Sequence, residues 1–183
     1  MGQAQNELYT NSEKQAIATA LALKKDLNPA DFKTIRQKAA DFGVRQLEDP
    51  VPQNGLVVLF SNACIHCQSS LAATDMATTT KNGTPVKWID INTPEGQGLL
   101  GSLPGMEIKN DAYTIGGKPL KGVPATVLME NGVATKILKE VALNPGDLDI
   151  LVAAQAAKSP AQGTGNMVPR QKPPEPTIPG RTF

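Results

Sequence analysis

The apolar run Leu56-Val57-Val58-Leu59-Phe60 is followed, after the loop Ser61-Asn62-Ala63, by Cys64-Ile65-His66-Cys67. A continuous apolar run of this length suits a strand buried on both faces. After the loop the pattern becomes helical, and we expect a helix from Cys64 to about Thr80 with Leu71, Ala72 and Met76 facing inward. Cys64 and Cys67 are the only two cysteines of the chain, and His66 is its only histidine. Two thiols one helical turn apart at a strand-to-helix junction can close a small disulfide and open it again. The rest of the chain has to be compatible with that turn.

A cysteine is a nucleophile only as its thiolate. Cys64 is expected in the first turn of its helix, where unpaired N–H groups and the helix dipole favour an anion. His66, in the same turn, adds to that preference when protonated or donating. A lowered thiol pKa stabilises the reduced form and makes the disulfide a stronger oxidant. Cys67 lies one turn further in and is expected to be more buried. Cys64 is therefore the sulfur that attacks or is attacked, and Cys67 the one that resolves the mixed disulfide. Two other readings stay open: a stable or idle disulfide in a domain used as a scaffold, and a zinc site. Two cysteines and one histidine in a single turn leave a tetrahedral zinc site short of ligands. A lone histidine is ordinarily a surface residue; inside this turn we read His66 as favouring the thiolate.

Around this turn the chain divides into three parts. Residues 1–50 read as an N-terminal helical arm and linker. Thr10-Asn11-Ser12-Glu13 fits a capping box for a helix to about Asp26. Asn28-Pro29-Ala30-Asp31 opens a second helix, in which Phe32, Ile35, Ala39 and Phe42 share a face and Gly43 ends the run. That stripe either packs on the chain's own core or meets a second copy or a partner. Residues 51–156 alternate strands and helices, with strands at Val86–Ile91 and Ala125–Glu130 and a helix near Pro94–Leu100. Asn131-Gly132 signals a hairpin to a returning strand, Val133–Leu138, and Asn144-Pro145-Gly146-Asp147 opens a last helix with Leu148, Leu151 and Val152 inward. Residues 101–122 are rich in Gly and Pro and read as irregular, apart from a short strand near Tyr113-Thr114-Ile115. Trp88 reads as core, and Asp90 and Glu95 as solvated or capping. Residues 157–183 are dominated by Pro, Gly, Gln and Lys and cannot bury a core. They read as a flexible or polyproline-type tail, or as a peptide that orders on a partner.

The strand Leu56–Phe60, the Cys64-Ile65-His66-Cys67 turn, and Gly122-Val123-Pro124-Ala125-Thr126-Val127-Leu128 ahead of an Asn-Gly hairpin resemble the thioredoxin superfamily. The resemblance covers roughly residues 51–156. It implies an α/β fold of thioredoxin-like type, a three-layer α/β/α sandwich, here with the N-terminal helical arm and the Pro-rich C-terminal tail added. It also implies that Pro124 follows a cis bond beside the two sulfurs and that Val123 presents backbone groups to a bound peptide. The Cys-X-His-Cys form is most similar to DsbA-type oxidases. Two departures stand out: Val58 occupies the strand position where relatives often bury an acid, and Ala63 precedes Cys64 where tryptophan is usual. A plain strand-edge proline is the simpler alternative for Pro124.

Composition narrows the alternatives. The net charge is +1 with both signs interspersed, so nothing suggests nucleic acid or an anionic membrane surface as partner. Aromatics make up 4%, so any core is mostly aliphatic. No apolar stretch approaches the ~20 residues of a membrane span. Gly116-Gly117-Lys118-Pro119 lacks the spacing of a phosphate loop. Ala16–Leu23 is followed by Lys24-Lys25 where a signal peptide would be cleaved, so we read it as helix. The compartment stays open: periplasmic if a leader has been removed, otherwise cytoplasmic or assembly-bound. The expected function is thiol–disulfide exchange on protein thiols by Cys64, Cys67 and His66, with Val123 and Pro124 shaping the substrate groove and no metal or organic cofactor implied. The rival is a non-enzymatic component of a secretion, conjugation or virion-type assembly, docking through residues 13–42 and 157–183.

Overall fold

The computed structural model describes residues 8–158 of the chain. Thr10 opens α1 (Asn11–Leu23) with a reciprocal cap: the Glu13 N–H donates to Thr10 Oγ1 at 3.1 Å, and the Thr10 N–H donates to Glu13 Oε2 at 2.8 Å. The helix stops before Asp26, because Lys24 takes a left-handed conformation with φ 51°. Asn28 caps α2 (Pro29–Gln46), its Oδ1 accepting from the Asp31 N–H at 2.9 Å. Gly43 does not end α2, as the sequence suggested, but lies inside it. A Cβ there would come within 2.8 Å of Asp90 Cβ and 3.4 Å of Phe60 Cζ. Close approach, not a left-handed turn, is what requires glycine at this position.

β1 (Gly55–Phe60) is buried throughout and runs parallel to β2 (Val86–Asp90), with Phe60 level with Asp90. Its other edge pairs antiparallel with β6 (Ala125–Glu130), which pairs in turn with β7 (Val133–Lys139) across the left-handed turn Asn131-Gly132. The resulting strand order is β2-β1-β6-β7. Between β1 and β2 lies α3 (Ile65–Ala73), shorter than the helix to Thr80 that the sequence suggested. Asp75 and Met76 turn left-handed at φ 50° and 52°, and the threonines that follow run extended: Thr79 bridges Pro85, and Thr78 O accepts from the Val86 N–H at 2.8 Å. Stiff β-branched residues favour that extended course.

After β2 come α4 (Pro94–Ser102), β3 (Met106–Lys109), β4 (Ala112–Ile115) and β5 (Lys118–Pro119). The stretch expected to be irregular is thus a three-stranded antiparallel sheet, β3-β4-β5. Its two reversals are Asn110-Asp111, φ 51° and 61°, and Gly116-Gly117, φ 58° and 78°. Paired left-handed residues match the twist of tight hairpins, and Asn, Asp and Gly adopt them most cheaply. The chain's last described element is α5 (Asp147–Lys158). Among the described residues the fold is mixed α/β, with five helices and sheets of four and three strands.

The alternation along β1 splits the core in two. Leu56, Val58 and Phe60 face a cluster that contains Ile17 of α1, Ile35, Ala39 and Phe42 of α2, Cys67 and Leu71 of α3 and Leu148 of α5. Val57 and Leu59 face the other side, with Leu100 of α4 and Ile115 of β4. Trp88 is core, meeting Phe42 and Phe60 edge-on at centroid distances of 6.1 and 6.0 Å. In residues 13–42, one of the two surfaces considered for an assembly partner, Ile35, Ala39 and Phe42 of the apolar stripe pack in the chain's own core, while Phe32 is only half-buried. In the other surface, 157–183, the described structure ends with residue 158. No helix among the described residues is long and apolar enough to cross a membrane.

The contact at Gly43 yields a test of this packing. Helix propensity alone would make Gly43→Ala stabilising by about 1 kcal/mol. We expect instead a loss of about 1–2 kcal/mol in urea unfolding, because overpacking against Asp90 and Phe60 outweighs that gain. Unchanged or raised stability would show that α2 does not sit this close to the sheet.

Candidate functional site

Cys64 is the N-cap of α3, in extended conformation, and its Sγ accepts from the Cys67 N–H at 3.3 Å. A sulfur in the N-cap position takes the place of the oxygen that usually satisfies an unpaired N–H there. The local sequence explains the placement. β1 is apolar to its last residue, Ser61-Asn62-Ala63 breaks the strand, and Ser61 O accepts from the Cys64 N–H at 3.1 Å. Cys64 is half-buried, Cys67 is fully buried among the residues of the first core cluster, and His66 is exposed on the first turn of α3. Both thiols are free.

The two sulfurs have opposite proton affinities. Cys64 is lowered to about 6. The largest cause is a hydrogen bond from the Cys67 thiol to the Cys64 sulfur, and burial works against it. The backbone N–H groups of Cys67 and His66 and the charge of His66 add to the lowering. Cys67 is pushed upward, first by the same hydrogen bond, which its ionisation would break, and next by burial. The Ser61 N–H opposes this rise, while the Cys64 and Asp90 charges reinforce it. At neutral pH the pair is thus one half-buried thiolate supported by one buried thiol.

Across from the turn, the Val123–Pro124 peptide is cis. Cys64 Sγ lies 3.9 Å from Val123 O, a contact in which the sulfur donates only in its protonated form. Val123 is half-buried and Pro124 buried, at the entrance to β6. The fold thus brings Cys64, Cys67, His66 and the Val123-Pro124 step into one place, from the end of β1, the start of α3 and the start of β6.

A second set of residues was not singled out in the sequence. Asp90, expected to be solvated or capping, is 2% exposed. Its carboxylate accepts from the Asn62 N–H at 3.2 Å, from Asn62 Nδ2 at 2.8 Å and from the Asn92 N–H at 3.0 Å. Asn62 is itself buried; its Oδ1 accepts from Arg36 Nε and Asn92 Nδ2, each at 3.0 Å, and its carbonyl accepts from Gln68 Nε2 at 2.6 Å. The loop before Cys64 is therefore anchored from β2, α2 and α3 together. The legible signal was an acid ending a strand that also carries Val86, Trp88 and Ile89, with Lys87 the other charged residue. Among the described residues no group of three His, Cys, Asp or Glu side chains gathers as a metal site would require.

No known protein family, curated protein or solved structure matches this chain. The site is accordingly interpreted from its own geometry.

The lowered Cys64 pKa carries a stability prediction. Between about 6 and the free-thiol value of about 8.5, the folded chain has lost a proton that the unfolded chain keeps. The resulting stabilisation is complete above the upper limit and gone below the lower one. We expect the unfolding free energy of the reduced protein, measured against Cys64→Ser, to rise with pH across that window. A difference that stays flat, or falls, would contradict the thiolate assignment.

Proposed function

We propose that this chain is a thiol–disulfide oxidoreductase that acts on protein thiols, with a thioredoxin-like domain around the Cys64–Cys67 pair. The observation that carries the reading is the sulfur of Cys64 at the N-cap of α3, half-exposed, with the buried Cys67 donating to it and the Val123 carbonyl beside it. The cis Val123–Pro124 bond and the order β2-β1-β6-β7, with β1 parallel to β2 and antiparallel to β6, support the domain type.

The chemistry follows from the asymmetry of the pair. In the reducing direction the Cys64 thiolate attacks one sulfur of a substrate disulfide. The substrate S–S bond breaks, the Cys64–substrate S–S bond forms, and the first substrate thiolate leaves. Cys67 then gives its proton to the departed substrate thiolate or to water and attacks Cys64 Sγ, closing the Cys64–Cys67 disulfide and releasing the second substrate thiolate. The protein gives up two electrons and the substrate disulfide gains two. The oxidising direction is the same path reversed, with Cys64 Sγ attacked by a substrate thiolate. Cys64 leaves well because its thiolate is stabilised, and Cys67 resolves because it is held one turn away. His66 acts through its charge on the thiolate, and Val123-Pro124 flanks the incoming chain.

Insulin reduction, or oxidation of a dithiol peptide, tests this directly. Wild type is expected to turn over well above the background of dithiothreitol alone, and Cys64→Ser to abolish turnover. Cys67→Ser is expected to stop at the mixed disulfide, seen as a covalent protein–substrate adduct by mass spectrometry. Wild-type activity at background, or full activity in Cys64→Ser, would overturn the reading.

A further inference from the structure

The turn between α1 and α2 lies against the loop that carries Cys64. After Lys24 the chain reverses, the Lys25 N–H donating to Ala20 O at 3.0 Å, and it enters α2 at Asn28. This reversal leaves a cavity of about 470 Å³. Leu27, Pro29 and Phe32 line it from the helical hairpin, and Ala63 and Ile65 from the loop and the start of α3. Ala63 and Ile65 are the two chain neighbours of Cys64, so the cavity opens one residue away from Cys64, which does not itself line it. The remaining lining residues, Lys25 and Asp26, are exposed and of opposite charge, so together they favour neither sign. Val123 takes no part in lining it. Phe32 gives the cavity an apolar wall: it begins the stripe of Ile35, Ala39 and Phe42, yet it is only half-buried, while those three are covered by the core.

A cavity of this volume falls within the ~300–1,000 Å³ of small-ligand sites, large enough for a bulky side chain. Consecutive Cα atoms of an extended chain are about 3.8 Å apart. A residue one or two positions from a substrate cysteine is therefore displaced from it by about 4–7 Å, the scale of the one-residue offset between Cys64 and the lining residues Ala63 and Ile65. We propose that the cavity between the α1–α2 turn and Ala63–Ile65 is a specificity subsite: it takes a bulky apolar side chain next to the reacting cysteine of an extended protein segment. The proposal rests on the redox reading above and adds to it the class of substrate. It also gives the helices before β1 a share in substrate choice, beside their share in the core.

Two homodimeric peptide disulfides test it, identical except for leucine or asparagine beside the cysteine. The reduced protein converts each into two peptide thiols and becomes the Cys64–Cys67 disulfide, so thiol release reports the rate. For wild type we expect the second-order rate constant of this single turnover to be about tenfold higher for the leucine peptide, as burial of one apolar side chain allows. Phe32→Ala and Ala63→Trp, which open and fill the cavity respectively, should each reduce that preference to about threefold or less. Should Phe32→Ala fail to fold by circular dichroism, Ala63→Trp, at an exposed position, carries the test alone. Equal wild-type rates on the two peptides, or a preference untouched in a folded variant, would overturn the subsite. Glutathione disulfide separates the two claims. Reaction with it but no peptide preference removes the subsite alone; no reaction with any disulfide removes the redox reading and the subsite with it.

Discussion

The buried carboxylate of Asp90 is the interaction on which the geometry of this site depends. A charge removed from water is tolerated only when hydrogen-bonded or paired. Here three N–H donors meet it, two from Asn62 and one from Asn92. The parallel pairing of β2 with β1 sets Asp90 level with Phe60, the last residue before the loop. Gly43 lets α2 approach the same carboxylate, and Arg36 of α2 holds Asn62 from outside. Gln68, fully buried on α3, ties the Asn62 carbonyl to the helix that Cys64 caps. The loop's course is thus fixed by polar contacts from three elements, and the position of Cys64 follows from it.

Placement then separates two chemically identical side chains. Cys64 sits where unpaired N–H groups point, half-open to solvent, while Cys67 is one turn deeper in an apolar cluster beside a buried carboxylate. One hydrogen bond lowers the proton affinity of the first and raises that of the second. In the proposed chemistry this is the division of labour that exchange needs: one sulfur ready to react, the other held in reserve until a mixed disulfide draws it in. The carboxylate that shapes the loop also sustains the difference by disfavouring a second negative charge at Cys67.

Much of this was legible in local signals. The reciprocal cap at Thr10 and Glu13, the Asn28-Pro29 helix start, the fully apolar β1 and the Asn131-Gly132 hairpin are decided by neighbouring residues, and each has a sequence signature. The misread places depend on long-range contacts or on unusual backbone. Gly43 reads as a helix end, and only the approach of Asp90 reveals why it is glycine. The helix after Cys67 stops early because Asp75 and Met76 turn left-handed, which Met76 does not announce and Asp75 signals only weakly. The three-stranded sheet was hidden because its strands are short and flanked by Gly and Pro, although Gly116-Gly117 is itself a hairpin signal. At the site, the Cys64–Cys67 turn was readable from spacing, and Val123-Pro124 only through the resemblance. Asp90, Asn62 and Gln68 were not, because what they do depends on partners outside their own turn, Asn62 and Asp90 being 28 residues apart and Gln68 and Asn62 six.

The central claim is that Cys64 and Cys67 form a disulfide that opens and closes reversibly, instead of a permanent cross-link. The most direct measurement is the reduction potential of the pair, obtained by equilibrating the protein with glutathione redox buffers. A stabilised Cys64 thiolate predicts a value between about −120 and −270 mV, the span of catalytic dithiols. A potential below about −300 mV, typical of structural disulfides, or failure of the pair to oxidise at all, would contradict the account.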